Sequence, residues 1–236
     1  MEKKNLDWSN LGFSYMKTDK RYVANYTAEA GKWDEGALID DDKIVMSEDA
    51  GVLQYSQSVF EGLKAYTTKD GHIVCFRPDL NAQRMYDSAQ RLEMPPLPVD
   101  QFVDSIHKVV EANAAWVPPF GTGATLYIRP YMFGSGPVSG VKPADDYQYR
   151  VFTTPVGPYF KGGAKPIYVK ISDYDRAAPH GTGNIKAGLN YAMSLHAIVT
   201  AHQEGFAENI YLDAATRTKI EETGGANILF VDQDNH

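Results

Sequence analysis

Apolar and polar positions along the chain alternate between helical and strand-like spacing. Val99, Phe102, Val103, Ile106, Val109 and Val110 recur at three- and four-residue intervals. This predicts an amphipathic helix reaching about Trp116, before Pro118-Pro119. An earlier helix is predicted from Pro78, with Leu80, Met85, Ala89 and Leu92 on one face and Pro95-Pro96 as its stop. A third is predicted over Tyr191–Glu204, with Ala192, Leu195, Ile198, Val199 and His202 on one face and Gly205 ending it. Period-two or β-rich runs predict strands at Tyr22–Ala28, Thr125–Phe133, Tyr149–Val156, Ile167–Ile171, Asn209–Leu212 and Ile228–Val231. Short strands are also predicted in Gly36–Val45, around the turn Asp40-Asp41-Asp42. Lys64–Thr68 and His72–Phe76 flank Asp70-Gly71, a hairpin signal.

The Gly/Pro-rich stretch Gly157–Pro166 reads as a linker. The expected organisation is therefore α/β in two domains. A smaller N-terminal one spans 1–158, a linker 159–165, and a second domain begins over 166–236. The last residues, Val231 to His236, run from a predicted strand into turn residues with no return strand, which predicts that the second domain is incomplete.

Composition narrows the function without naming it. The chain has 236 residues, 43% of them hydrophobic, enough for a packed core. A net charge of -7 makes it a poor general nucleic-acid binder. One cysteine, Cys75, rules out an internal disulfide framework and a CxxC metal site; in a predicted strand it is expected to be buried and inert. The six histidines have no metal-ligand spacing. No apolar run resembles a membrane span or export signal, so the expected location is cytoplasmic, with no membrane partner.

Four stretches could carry chemistry. Lys186 lies among glycines just before a helix, in GTGNIKAGLNYAMSL. An amine whose stem is packed at a cleft mouth loses proton affinity and becomes a nucleophile or base, as Schiff-base chemistry with a pyridoxal aldehyde requires. Tyr191 follows five residues later. In KIEETGGANILF, Glu221 and Glu222 must point to opposite faces of a strand, so one of them can enter a cleft and meet a ring nitrogen. FEGLKA precedes the hairpin, and Arg84 on the following helix has the planar fork that suits phosphate. In LYIRPYM, Tyr127, Arg129 and Tyr131 share a strand face that suits a carboxylate or a subunit contact. Each has an ordinary reading too: a solvated lysine, an exposed acidic pair, a surface arginine.

Their order carries more than any one of them. FEGLKA, FRPDLNAQRM, LYIRP, GNIKAGLNYAMSL and EETGGANILF, in sequence, closely resemble the branched-chain amino acid aminotransferases, from about residue 7 to the end. That resemblance implies a fold type IV enzyme, like D-amino acid aminotransferase, using pyridoxal 5'-phosphate in a cleft between the domains. It implies transamination of leucine, isoleucine or valine with 2-oxoglutarate, and a homodimer. Position by position, it makes Lys186 the amine that bonds the cofactor and Tyr191 the partner of its phenolic oxygen. It pairs Glu222 with the pyridinium nitrogen, Arg84 with the phosphate, and sets Arg176 near the cofactor. Phe60, Tyr55 and Tyr127 line an apolar substrate pocket, and Arg129 helps organise the substrate carboxylate region.

Departures from the pattern are Leu189, where a second glycine is usual, and Gly225, where a hydroxyl residue is usual. Family members also continue for roughly another third of the chain, supplying return strands and phosphate-holding loops. Two alternatives remain at this level. One is another fold type IV enzyme, a D-amino acid aminotransferase or aminodeoxychorismate lyase. The other is a non-catalytic truncated fragment.

Overall fold

The computed structural model describes residues 2–158 and 165–234. The chain divides into two compact units, Met1–Gly163 and Ala164–His236. Residues 159–164, most of the expected linker, lie outside the described residues.

Unit 1 is built on β1 (Arg21–Thr27), β2 (Lys32–Trp33), β3 (Ala37–Ile39), β4 (Ser58–Phe60), β5 (Leu63–Thr67), β6 (Ile73–Cys75), β7 (Thr125–Gly134) and β8 (Tyr147–Val156). The spatial order is β2-β1-β8-β7-β5-β6, with β3 on β1 and β4 on β7, and every pairing is antiparallel. Two long strands, β7 and β8, pair along ten residues each and form its spine. Their alternation divides the sheet. One face buries Ile128, Met132, Tyr149 and Val151; the other carries Tyr127, Arg129, Tyr131 and Phe152, half-buried.

Helices α2 (Pro78–Arg91) and α3 (Val99–Ala112) bring apolar positions to the core. Phe102 and Ile106 of α3 are fully buried, and Phe102 packs on Tyr149 with ring centroids 6.0 Å apart. Tyr149 is buried too, and its hydroxyl shares a 2.9 Å hydrogen bond with Ser105 Oγ, so the one polar atom of that ring has a partner. Cys75, at the end of β6, is half-buried, and burial pushes its thiol up to about 11. It stays protonated and a weak nucleophile at neutral pH.

Unit 2 has a three-stranded sheet: β9 (Val169–Ile171), β10 (Glu208–Leu212) and β11 (Ile220–Thr223), in the order β11-β10-β9. β9 and β10 are parallel, so a crossover must join them, and the long helix α4 (Gly188–Gln203) provides it. β11 returns antiparallel to β10, which places Glu222 opposite Tyr211. No described helix is long and apolar enough to cross a membrane.

Several sequence expectations need correction. Leu80 does not join the core face of α2, where Ala82, Met85, Ser88 and Ala89 are buried; it is 56% exposed. That helix ends at Arg91, before the proline pair, because Glu93 takes a left-handed φ of 53°. α3 ends at Ala112, where the Asn113 side chain bonds the Val109 carbonyl, and Ala114–Trp116 is a 3-10 turn. α4 starts at Gly188, earlier than expected. Its buried face is the small and polar set Asn190, Ser194, Ala197 and Ala201, while Leu195 and Val199 are exposed. Small side chains let the helix approach β10 closely. Within Gly36–Val45 only Ala37–Ile39 is a strand, since β1 offers partners to those residues alone. Ile228–Val231 is not a strand: among the described residues no strand pairs with it, and Leu229, Phe230 and Val231 are exposed.

The two faces of α2 give a direct test. Met85→Ala should cost about 2–5 kcal/mol of stability, and Leu80→Ala no more than about 0.5 kcal/mol, read from urea unfolding midpoints. Equal costs would put Leu80 in the core.

Candidate functional site

Unit 2 gathers four of the predicted residues. Lys186 sits in the loop that enters α4, and Tyr191 in the helix's first turn. The loop is tied to the helix by one buried side chain. Asn190 Nδ2 donates to the carbonyls of Thr182 (2.7 Å) and Ile185 (3.0 Å), and its Oδ1 accepts from Thr182 Oγ1 at 2.8 Å. With the chain ends of that loop fixed, Lys186 Nζ donates to Tyr191 Oη at 2.7 Å.

Arg176 is buried and lies over the Tyr191 ring, its Cζ 4.7 Å from the centroid. Its Nε is 4.0 Å from Glu222 Oε1, beyond hydrogen-bond reach, and is a buried N–H without a hydrogen-bond partner among the described residues. Asn209 and Tyr211 also hold buried side-chain polar atoms without hydrogen bonds among the described residues. Of the adjacent acids, Glu221 is exposed and Glu222 half-buried, as strand alternation requires. Burial raises the Glu222 carboxyl above the ordinary carboxylate range, Arg176 and then Lys186 oppose the rise, and the neighbouring Glu221 adds to it.

Unit 1 holds the remaining predicted residues in two clusters. In the first, Arg129 Nη2 donates to Tyr127 Oη at 2.8 Å, and its guanidinium lies 4.8 Å from the Phe60 ring centroid. Phe13 meets Tyr127 edge-on at 5.5 Å. In the second, Arg84 donates from Nε and Nη2 to the two oxygens of Glu61, at 2.5 and 2.7 Å. Glu61 is fully buried and also accepts from Asn81 Nδ2 at 2.7 Å. The carboxylate therefore fixes the fork of Arg84, whose side chain is half-exposed. Tyr55, at the end of α1 (Gly51–Tyr55), is exposed and belongs to neither cluster.

The sequence reading passed over Glu61, Phe13 and Asn190. Glu61 had a signal in FEGLKA: an acid flanked by Phe60 and Gly62. A Cβ on Gly62 would come within 2.5 Å of Tyr127 Oη, so this glycine lets the FEG turn pack on the Tyr127–Arg129 pair. No group of three or more potential metal ligands occurs among the described residues.

The residues present fit a pyridoxal-type cofactor. A primary amine hydrogen-bonded to a phenol, a carboxyl raised by burial, and a buried guanidinium N–H lacking an acceptor suit an aldehyde on a ring with one basic and one acidic edge.

Comparison with known proteins agrees with this chemistry. The family described as amino-transferase class IV matches residues 58–236. A branched-chain-amino-acid aminotransferase of Haemophilus influenzae is 51% identical over 98% of this chain and 68% of its own length. One from Helicobacter pylori is 46% identical, with the same coverage. Among solved structures, a branched-chain amino acid aminotransferase with pyridoxamine 5'-phosphate, its source given as T.th., superposes with a TM-score of 0.75 at 26% identity, covering 93% of this chain and 67% of that one. The Escherichia coli branched-chain enzyme gives 0.70 at 27% identity, covering 89% and 64%. The chain thus spans about two thirds of the length of these relatives.

Glu222 generates a prediction about the cofactor-free protein. A carboxyl whose pKa is raised by folding favours the folded state below its unfolded value, about 4.3, and loses that contribution as pH rises through the folded value. Glu222→Gln should therefore unfold at a higher temperature than the parent at pH 7, with the difference shrinking towards pH 4. A variant less stable at pH 7 than at pH 4, relative to the parent, would reverse the sign of this electrostatic argument.

Proposed function

We infer the activity from a plain premise: the chain belongs to the class IV aminotransferases. The reaction is pyridoxal-phosphate-dependent transfer of the amino group between branched-chain L-amino acids (leucine, isoleucine, valine) and 2-oxoglutarate, giving branched 2-oxo acids and L-glutamate. The observation that carries the reading within this chain is the 2.7 Å contact of Lys186 Nζ with Tyr191 Oη, beside Arg176 and Glu222. When bound, pyridoxal 5'-phosphate supplies the aldehyde that takes up the amino group and a ring that delocalises the electrons left at Cα.

The chain's residues divide the remaining work. Lys186 is the amine that holds the cofactor. Once displaced by the substrate amine, it carries the proton to and from the substrate Cα. Tyr191, fixed by the first turn of α4, steers that amine and offers its hydroxyl to the cofactor's phenolic oxygen. Glu222 faces the ring nitrogen and favours its protonated form, while Arg176 keeps the carboxylate charged against the cost of burial. Arg84, oriented by Glu61, binds the phosphate as a planar fork.

In unit 1, Phe60 and Tyr127 form an apolar wall for a branched side chain, with Tyr55 contributing to the same pocket, and Arg129 attracts the substrate carboxylate. We also propose a homodimer and a cytoplasmic location. Exposure of Leu53 (58%) and Tyr55 (43%) on the short helix α1 supports a subunit contact there.

Lys186→Ala should lower turnover of leucine with 2-oxoglutarate by at least about 10³-fold, the scale of a lost acid–base group. Glu222→Gln should lower it by about 10²-fold, as loss of a preorganised electrostatic partner does, and Glu221→Gln far less. Normal turnover in Lys186→Ala removes the assignment; a larger effect at Glu221 means that the other carboxylate faces the ring.

A further inference from the structure

A cavity of about 370 Å³ opens in unit 1, lined among others by Tyr15, Arg21, Asp42, Tyr131, Arg150 and Phe152. It shares the sheet face of Arg129 but not Arg129 itself: Tyr131 follows two residues along β7, and Arg150 is its register partner on β8. Arg21 and Arg150 are 2% and 5% exposed. A buried charge is costly unless an opposite charge meets it.

Neither arginine meets a carboxylate among the described residues. Arg21 donates to the backbone carbonyls of Asp40 (2.8 Å) and Thr18 (3.4 Å). Arg150 donates to Gln148 Oε1 at 2.8 Å and, weakly, to the carbonyls of Asp41 and Lys43, each at 3.4 Å. All five acceptors are neutral. The one carboxylate lining the cavity among the described residues, Asp42, is engaged by Lys17 at 3.1 Å.

Two guanidinium forks without counter-charge therefore border a space large enough for a small organic ion, with the Tyr131 and Tyr15 rings as walls. Further N–H groups remain on each fork beyond those engaged, because a guanidinium has about five. We propose that this cavity is an anion-binding site, separate from the transamination chemistry, that takes a small dianion through its carboxylate or phosphate oxygens. The two arginines supply the paired N–H donors that such oxygens accept, and the occupant neutralises the charge that the fold buries.

The test uses the cofactor-saturated protein, whose own phosphate-binding groups are engaged. Calorimetric titration with inorganic phosphate, and separately with succinate, should give saturable binding of at least one of them. The tighter of the two identifies a phosphate-bearing or a dicarboxylate occupant. Affinity should fall at least tenfold in Arg150→Gln and in Arg21→Gln, and stay within twofold of the parent in Arg129→Gln. Should Arg150→Gln fail to fold, Arg150→Lys decides: it keeps the charge, loses the fork, and should weaken binding severalfold with an unchanged circular dichroism spectrum. No saturable binding of either anion, or binding that survives the Arg150 variants and disappears in Arg129→Gln, overturns the proposal. So does a change of oligomeric state in Arg150→Gln with anion affinity unaltered, which would assign the buried charge to a subunit contact.

Discussion

The three hydrogen bonds of the Asn190 side chain are the constraint on which the candidate chemistry depends. A lysine in a glycine-flanked loop has many rotamers and no reason to rest beside one particular phenol. Asn190 removes that freedom at its source by fastening the loop backbone at Thr182 and Ile185 to the helix that carries Tyr191. The amine and phenol then meet at 2.7 Å with only the lysine stem left to order. Asn190 is buried, so losing one of these bonds would strand polar groups away from water, and this cost makes the arrangement rigid.

Electrostatics follow from the same placement. The start of α4 brings the Tyr191 ring against Arg176, and the return of β11 along β10 brings Glu222 to within 4.0 Å of that arginine. Burial drives the carboxyl towards its neutral form, while Arg176 and Lys186 pull it back. The unpaired N–H of Arg176 and the unsatisfied polar atoms of Asn209 and Tyr211 cost stability in the chain by itself. Functional sites commonly carry such costs, and the rest of the fold compensates for them.

Much of this was legible in the sequence, for identifiable reasons. The long strands at 125–134 and 147–156 and the helix at 99–112 announced themselves because their apolar spacing coincides with their buried faces. Alternation alone separated Glu221 from Glu222. Helix α4 misled because its packing face is made of Ala197, Ala201, Ser194 and Asn190: small residues that permit close approach leave no hydrophobic stripe, and the larger Leu195 and Val199 point outward. Ile228–Val231 misled because β-forming composition yields a strand only where a partner edge exists. Glu61 was invisible for a different reason. Its role depends on Arg84, 23 residues away, and on burial that a one-dimensional pattern does not encode.

The central claim is that Lys186, held against Tyr191, is the amine that takes the cofactor. It is tested by adding pyridoxal 5'-phosphate to the purified 236-residue chain, recording the visible absorption spectrum, and mapping the product by mass spectrometry after borohydride reduction. The account predicts a visible band and a single stable cofactor adduct on Lys186. A folded, intact chain that yields no adduct, or that yields it on another lysine, would contradict it.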